Sequence, residues 1–214
     1  VGGWEMVVNA LADGCGLQVA PAQARKFASD YHCFMVRRFD RTDTGQRLHF
    51  ASAMTMTGHS DGDDASTGVS YLELAEVIMG HGAQPNADLR ELWSRIVFNI
   101  LVSNTDDHLR NHGFILVPGK GWKLSQAYDM NPVAHADGLK LNITDADNAL
   151  DLELAREVAA YFRLNLQEAD ATIEEFRSIV GQWRVVAQQV GLSASEQDRM
   201  AGAFRLADSD AASP

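Results

Sequence analysis

Between Val97 and Leu116 the chain reads VFNILVSNTDDHLRNHGFIL, and its middle is crowded with groups able to do chemistry. Asn104, Asp106, Asp107, His108, Arg110, Asn111 and His112 lie between two apolar segments. One more carboxylate, Asp129, follows in the stretch LSQAYDMNP. A divalent cation such as magnesium prefers hard oxygen ligands, often one or two side chains completed by phosphates and water. Asn111 and Asp129 offer two such oxygens, which leaves Asp106 free to meet an acceptor hydroxyl. Each polar group left buried and unsatisfied would cost about 1–3 kcal/mol, and a metal or ligand is one way to satisfy them.

Asp106 and Asn111 are five positions apart. The Asp and Asn of the protein-kinase catalytic loop have the same separation: the Asp orients or deprotonates the attacking hydroxyl, and the Asn holds a metal. A second carboxylate on a later strand bridges metal and phosphates, and Asp129 stands where it could do so. Taken singly these residues have plainer readings. Asp-x-x-x-x-Asn is common, and His108 and His112 could be ordinary surface or core histidines. A zinc site built on His108 and His112, four apart, is weighed down by the missing glutamate base and by Gly113, which interrupts a helix.

The elements around this loop must position it. NADLRELWSRIVFNILVSN is the strongest helical pattern, with Leu89, Leu92, Trp93, Ile96, Val97, Ile100 and Leu101 on one side and Asn86 or Asp88 as cap. Its last turns are apolar nearly all round, which predicts a central, buried helix. GFILVPGKGWKLSQAYDM contains two apolar runs joined by PGKG, a hairpin signal that brings Asn111 and Asp129 together. Residues 5–17 carry a loose helical stripe closed by DGCG, and LQVAPAQARKF reads as extended or turn. CFMVRRFDR and QRLHFASAM around TDTG predict a hairpin over residues 33–54. MTGHSDGDDASTG reads as a loop; a calcium site there would lack the ligand spacing and closing glutamate of an EF-hand. SYLELAEVIMGHG is a short helix with a Ser70/Glu73 capping box. Three further helical stretches follow, with Trp93 and Trp183 at core spacing, and DSDAASP at the end reads as frayed. The expected class is mainly α with small β-hairpins (α+β), as one domain over residues 1–214 without repeat or linker.

The net charge of -11 argues against broad binding to nucleic acid or an anionic membrane, although Arg37, Arg38 and Arg41 form a local basic cluster. No apolar stretch approaches the about 18–20 residues of a membrane span, and the first residues do not resemble a signal peptide. Two cysteines point to reduced thiols and a cytoplasmic location. The absence of an initial Met suggests a processed chain or a fragment.

NILVSNTDDHLRNHGFIL followed by GWKLSQAYDMNP resembles the signature of the HipA family, the kinase components of bacterial toxin–antitoxin modules. VRRFDR with RLHFASAM resembles its hinge strand and the strand after it, and LADGCGLQVAP the helix and turn upstream. The resemblance implies a protein-kinase-like fold, with hinge strands near residues 33–54 and a helical C-terminal lobe near 70–208. It implies Asp106 as catalytic aspartate and Asn111 and Asp129 as Mg2+ ligands. His108, Leu109, Arg110, Asn111 and Tyr128 would line ATP with Asp129, and Arg37, Arg38 and Phe39 would form the hinge that meets adenine. Family members transfer phosphate to serine or threonine on themselves or on protein targets, aminoacyl-tRNA synthetases among them. They pair with a helix-turn-helix antitoxin repressor, through which DNA would mainly be contacted.

Three departures stand out. Arg37 replaces a frequent Glu, and Gln126 a frequent Pro. The glycine-rich loop and ATP-binding lysine of the N-terminal lobe are not found in this sequence. The competing expectation is therefore a catalytically silent lobe that serves as a binding module for an antitoxin or repressor.

Overall fold

A computed structural model of the protein describes residues 1–28, 30–135 and 137–208. The first helix, α1 (Gly2–Gly14), buries Trp4, Val7, Val8, Leu11 and Ala12. Strands β1 (Ala22–Lys26) and β2 (His32–Val36) form an antiparallel pair in which Ala24 faces Phe34. The pair packs against α1.

The hairpin expected over residues 33–54 is not formed. β2 pairs with the preceding strand, whereas β3 (Phe50–Ser52) joins β4 (Gly113–Val117). The physical cause lies in the charged run between them. Arg38 grips Asp40 through two bonds of 2.8 and 2.6 Å, Arg41 reaches the same carboxylate at 3.1 Å, and Arg37 pairs with Asp43. These local pairs curl the segment on itself, and only its tip is hairpin-like: Thr42 N–H donates to the Gln46 carbonyl at 2.9 Å, and Arg41 bridges Arg47. Ala22–Lys26, expected as extended or turn, is the strand that takes the vacant edge of β2.

The second sheet has the order β3-β4-β5, with β5 at Gly121–Leu124. The PGKG turn works as expected, with Gly119 at φ 73. Short helix α2 (Ala53–Thr57) leaves β3 directly, capped by the Ser52 hydroxyl, which accepts from Thr55 N–H at 3.2 Å. In α3 (Tyr71–His81) the Glu73 carboxylate accepts from Ser70 N–H at 3.1 Å, the capping box read from the sequence.

α4 (Pro85–Leu101) is the central helix, and every residue from Arg95 to Leu101 is buried. It starts earlier than a cap at Asn86 or Asp88 would allow, because Pro85 suits the first turn after Gln84. Asp88 is instead buried, accepting from Leu124 N–H at 3.0 Å and from Gln84 at 2.9 Å. It thereby ties the end of β5 to α4. Arg95 does the same one turn pair later, donating to the Ser125 carbonyl at 2.7 Å while paired with Glu91.

The remaining helices are α5 (Leu152–Glu157), α6 (Leu166–Val180), α7 (Trp183–Val190) and α8 (Ala194–Met200). The helical stretch read from Ala171 onward breaks between α6 and α7 at Gly181–Gln182. Trp93 donates to the Ala155 carbonyl at 2.7 Å, and Trp183 stacks on Phe204 at 4.5 Å, so both tryptophans are packing residues. The terminal stretch read as frayed lies, from residue 209 on, outside the described residues. Among the described residues no helix is long and apolar enough to cross a membrane.

Gly121 has φ 117, and a Cβ there would press on the His81 carbonyl at the end of α3. Gly121→Ala should therefore lower stability by about 2 kcal/mol or more. A urea titration should show the midpoint falling with an unchanged slope.

Candidate active site

The residues after α4 turn sharply. Ser103 has φ 49, Asn104 is fully buried, and a single turn of 3₁₀-helix at Leu109–Asn111 leads into β4. Within this loop the two adjacent aspartates face opposite surroundings. Asp107 points into the core, where its Oδ2 accepts three hydrogen bonds: from the Tyr71 hydroxyl at 2.6 Å, the Asn99 amide at 2.8 Å and His112 Nε2–H at 2.8 Å. His112 also meets Tyr71 edge-on at 5.7 Å. Burial first, and the Asp107 charge second, push the Tyr71 phenol well above its ordinary range. Asp106, by contrast, is exposed.

Asn111 is the tie between the separate segments. Its Nδ2 donates to the Asp106 carbonyl at 3.1 Å and to the Asp129 carbonyl at 3.5 Å. The loop that carries Asp106 and Asn111 thus meets the later segment that carries Asp129. Because the amide nitrogen is spent on main chain, Oδ1 is turned away from it, and no described protein group donates to that oxygen. Asp129 is exposed and sits at φ 58, a left-handed conformation that Asp tolerates better than most residues. Its Oδ1 accepts from Asn131 Nδ2 at 3.2 Å, leaving Oδ2 available. An amide oxygen on the buried Asn111 and a carboxylate oxygen on the exposed Asp129 are the hard donor types that suit a small cation completed by phosphates and water.

The segment that follows β2 reaches the same place through aromatic contacts. Phe39 lies 5.2 Å from the Tyr128 ring and 6.0 Å from Phe50, and the Tyr128 hydroxyl donates to the Arg110 carbonyl at 2.6 Å. Phe50 in turn covers Gly113, where a Cβ would collide with its ring. Burial raises the Tyr128 phenol above its ordinary range. Leu109 is buried beneath the loop. The side chains of Arg37 and Arg38 are occupied by Asp43 and Asp40.

Apart from Asn111, which is buried, the expected site residues line three separate concavities. Arg37, Arg38 and Phe39 border a cavity of about 500 Å³ that continues over Ile115, Lys123 and Gln126. Asp106, His108, Leu109 and Arg110 border one of about 220 Å³, closed on its far side by residues 60–64. Tyr128 and Asp129 border a small one of about 30 Å³ with Glu5 and Phe34.

The loop read as HSDGDD uses its acidic groups locally. His59 bonds Glu73 at 2.7 Å and faces Asp63 at 3.4 Å, Asp64 caps the turn at 65–67, and Asp61 pairs with Arg110. Among the described residues no three His, Cys, Asp or Glu side chains gather as metal ligands. His112 is buried with its Nε2 bonded to Asp107 in the core, whereas His108 borders the cavity beside Arg110.

Sequence reasoning passed over two residues. Asp107 was one acid among several, and its signal was Asn99, a polar residue in the most apolar part of α4. Glu5 lies on α1, and burial, followed by the charge of Asp129, raises its carboxyl above the ordinary range. Its signal was an acid set between Trp4 and Val8, both core residues of the helix.

A helix, two strands, a crossing segment and a helical bundle that carries this loop before a β-hairpin make up a protein-kinase-like fold. The chain belongs to the HipA-like C-terminal domain family, whose sequence model matches residues 2–183. A Haemophilus influenzae protein named "Putative kinase" is 33% identical over 106 residues, covering 47% of this chain and 31% of that protein. A Sinorhizobium fredii protein of similar name is 29% identical over 141 residues, covering 62% and 33%. The chain thus spans about a third of the length of these curated relatives. Among solved structures, HipA in the Shewanella oneidensis HipA, HipB and operator DNA complex superposes with TM-score 0.75 at 20% identity, over 97% of this chain and 54% of that one. The Helicobacter pylori proinflammatory kinase CtkA gives TM-score 0.57 at 12% identity, over 99% and 87%. At these identities the likeness is one of fold.

Asp107→Ala strands three buried partners and should destabilise by about 3–5 kcal/mol, whereas Asp106→Ala should leave stability nearly unchanged. Chemical denaturation of the two variants separates the neighbouring carboxylates. His59 is raised above its ordinary value, chiefly by the hydrogen bond to Glu73. A raised folded-state value means that this stabilisation is complete below about pH 6.5 and fades as pH climbs through the raised value. Amide exchange in residues 59–64, corrected for intrinsic rate, should therefore be slower at pH 6 than at pH 8.5.

Proposed function

We propose that this chain is the hinge and C-terminal lobe of an ATP- and Mg2+-dependent serine/threonine protein kinase, the toxin component of a HipA-type toxin–antitoxin module. The observation that carries the reading is the Asn111 amide, which bonds the main chain of both Asp106 and Asp129. In this reading Asn111 and Asp129 hold the metal, and Asp106 receives the acceptor hydroxyl in the cavity it shares with His108 and Arg110. Bound magnesium would supply charge neutralisation at the phosphates. Catalysis then rests on positioning and preorganised charge rather than on a strong base. Phe39 and Tyr128 offer aromatic surface at the hinge for the adenine, with Arg37, Arg38 and Leu109 around it. Glu5 takes the place of the helix glutamate that pairs with the ATP-binding lysine in protein kinases. Its raised carboxyl marks a position that a lysine ammonium from an N-terminal lobe would satisfy.

The acceptor is a serine or threonine of a protein, with an aminoacyl-tRNA synthetase as the family-type target. The antitoxin is a helix-turn-helix repressor, and DNA is reached mainly through it, in line with the HipB and operator DNA present with the Shewanella relative. The reaction is placed in the cytoplasm. A second reading, a silent lobe that binds a repressor, is favoured by the division of the site residues among three concavities.

Calorimetry of ATP with and without Mg2+ tests the two readings. Metal-dependent binding supports the kinase lobe, and no binding supports the silent module. In the protein completed by its N-terminal lobe, Asp106→Asn should reduce phosphate transfer at least about 1,000-fold with nucleotide affinity nearly kept. Transfer that survives this change removes Asp106 from its role.

A further inference from the structure

Behind the exposed carboxylate of Asp129 runs a continuous line of amides. Asn131 Nδ2 donates to Asp129 Oδ1 at 3.2 Å, and the main-chain N–H of the same residue donates to Asn104 Oδ1 at 3.2 Å. Asn104 Nδ2 donates to Asn99 Oδ1 at 3.1 Å, and Asn99 Nδ2 donates to Asp107 Oδ2 at 2.8 Å. Two carboxylates therefore end a ladder of three asparagines. Asn99, Asn104 and Asp107 are all nearly inaccessible to water.

The residue type is dictated at each rung. Asn99 and Asn104 must accept from one neighbour and donate to the next, which an amide does and a carboxylate cannot. Asn131 donates in both directions, by main chain inward and by side chain outward. The inner rungs among Asn104, Asn99 and Asp107 are buried and therefore stiff, because breaking one leaves a donor and an acceptor unmatched, while the outer rung to Asp129 is exposed. Its outer end engages one oxygen of Asp129, on a backbone already confined to φ 58.

The geometry points to Asn131 as a positioning residue: it fixes the side-chain rotamer of Asp129 and thereby the divalent-cation affinity of the site, with α4 as its anchor through Asn104 and Asn99. This rests on the reading of Asp129 as a metal ligand. Partners that orient a ligand from behind typically govern affinity by about 10- to 100-fold.

Asn131→Ala removes the outer rung while its main-chain N–H still reaches Asn104, so the buried part of the ladder survives. Two measurements on the full chain test the assignment. Mn2+ binding in the presence of ATP, followed by the free-ion electron spin resonance signal, should weaken about 10- to 100-fold, with metal-free ATP affinity and melting temperature unchanged. Three-bond couplings about the Asp129 Cα–Cβ bond, without metal, should report one rotamer in the native chain and averaging in the variant. Mn2+ affinity within twofold of native, an equal loss of metal-free ATP binding, or an unaltered single rotamer overturns the proposal. If the native chain binds no Mn2+ with ATP, the kinase reading fails, and the coupling measurement alone decides whether Asn131 sets the rotamer.

Discussion

One oxygen, Oδ2 of Asp107, organises the loop that the rest of the site depends on. It collects a phenol from α3, an amide from α4 and an imidazole from the start of β4. Three elements that could otherwise slide are thereby held to a common point in the core. A buried carboxylate is tolerable only when its hydrogen bonds are supplied, and here they are. The gain is positional: with Asp107 drawn inward, its neighbour Asp106 has to face the solvent.

Asn111 applies the same economy one turn later. Its nitrogen is committed to two carbonyls, so the side chain cannot rotate freely, and its oxygen is presented in a fixed direction. The hairpin from Gly113 to Leu124 returns the chain to Asp129 beside it, and Asp88 and Arg95 hold the end of that hairpin against α4. The elements of the fold and the arrangement of the polar groups are thus one construction seen at two scales.

Much of this was legible in the sequence where local rules operate. The Ser70 capping box, the PGKG turn, the all-round apolar end of α4 and the breaking of the chain after Asn111 each follow from short-range chemistry. The failures were non-local. Nothing in CFMVRRFDR states that its partner lies upstream, because strand pairing is settled by charge pairs in the intervening run and by packing on α1. The start of α4 was misplaced because Asp88 looked like a cap, although its partner is Leu124, thirty-six residues away. Asp107 and Glu5 were overlooked for a related reason: an acid gains meaning from what surrounds it, and those surroundings are assembled from distant segments.

The joining of β3 to β4 has a consequence for the order of folding. Ser52 faces Gly113 across the sheet, so that pairing closes a loop of sixty intervening residues containing α2, α3 and α4. Closing so long a loop costs chain entropy before any contact repays it, and sheets of this kind form late. The helices mature first and shorten the effective loop; the strand pairing that leads into α2 and covers Gly113 then arrives near the end. A nascent chain would hold a helical core well before the edge formed by β3 was in place.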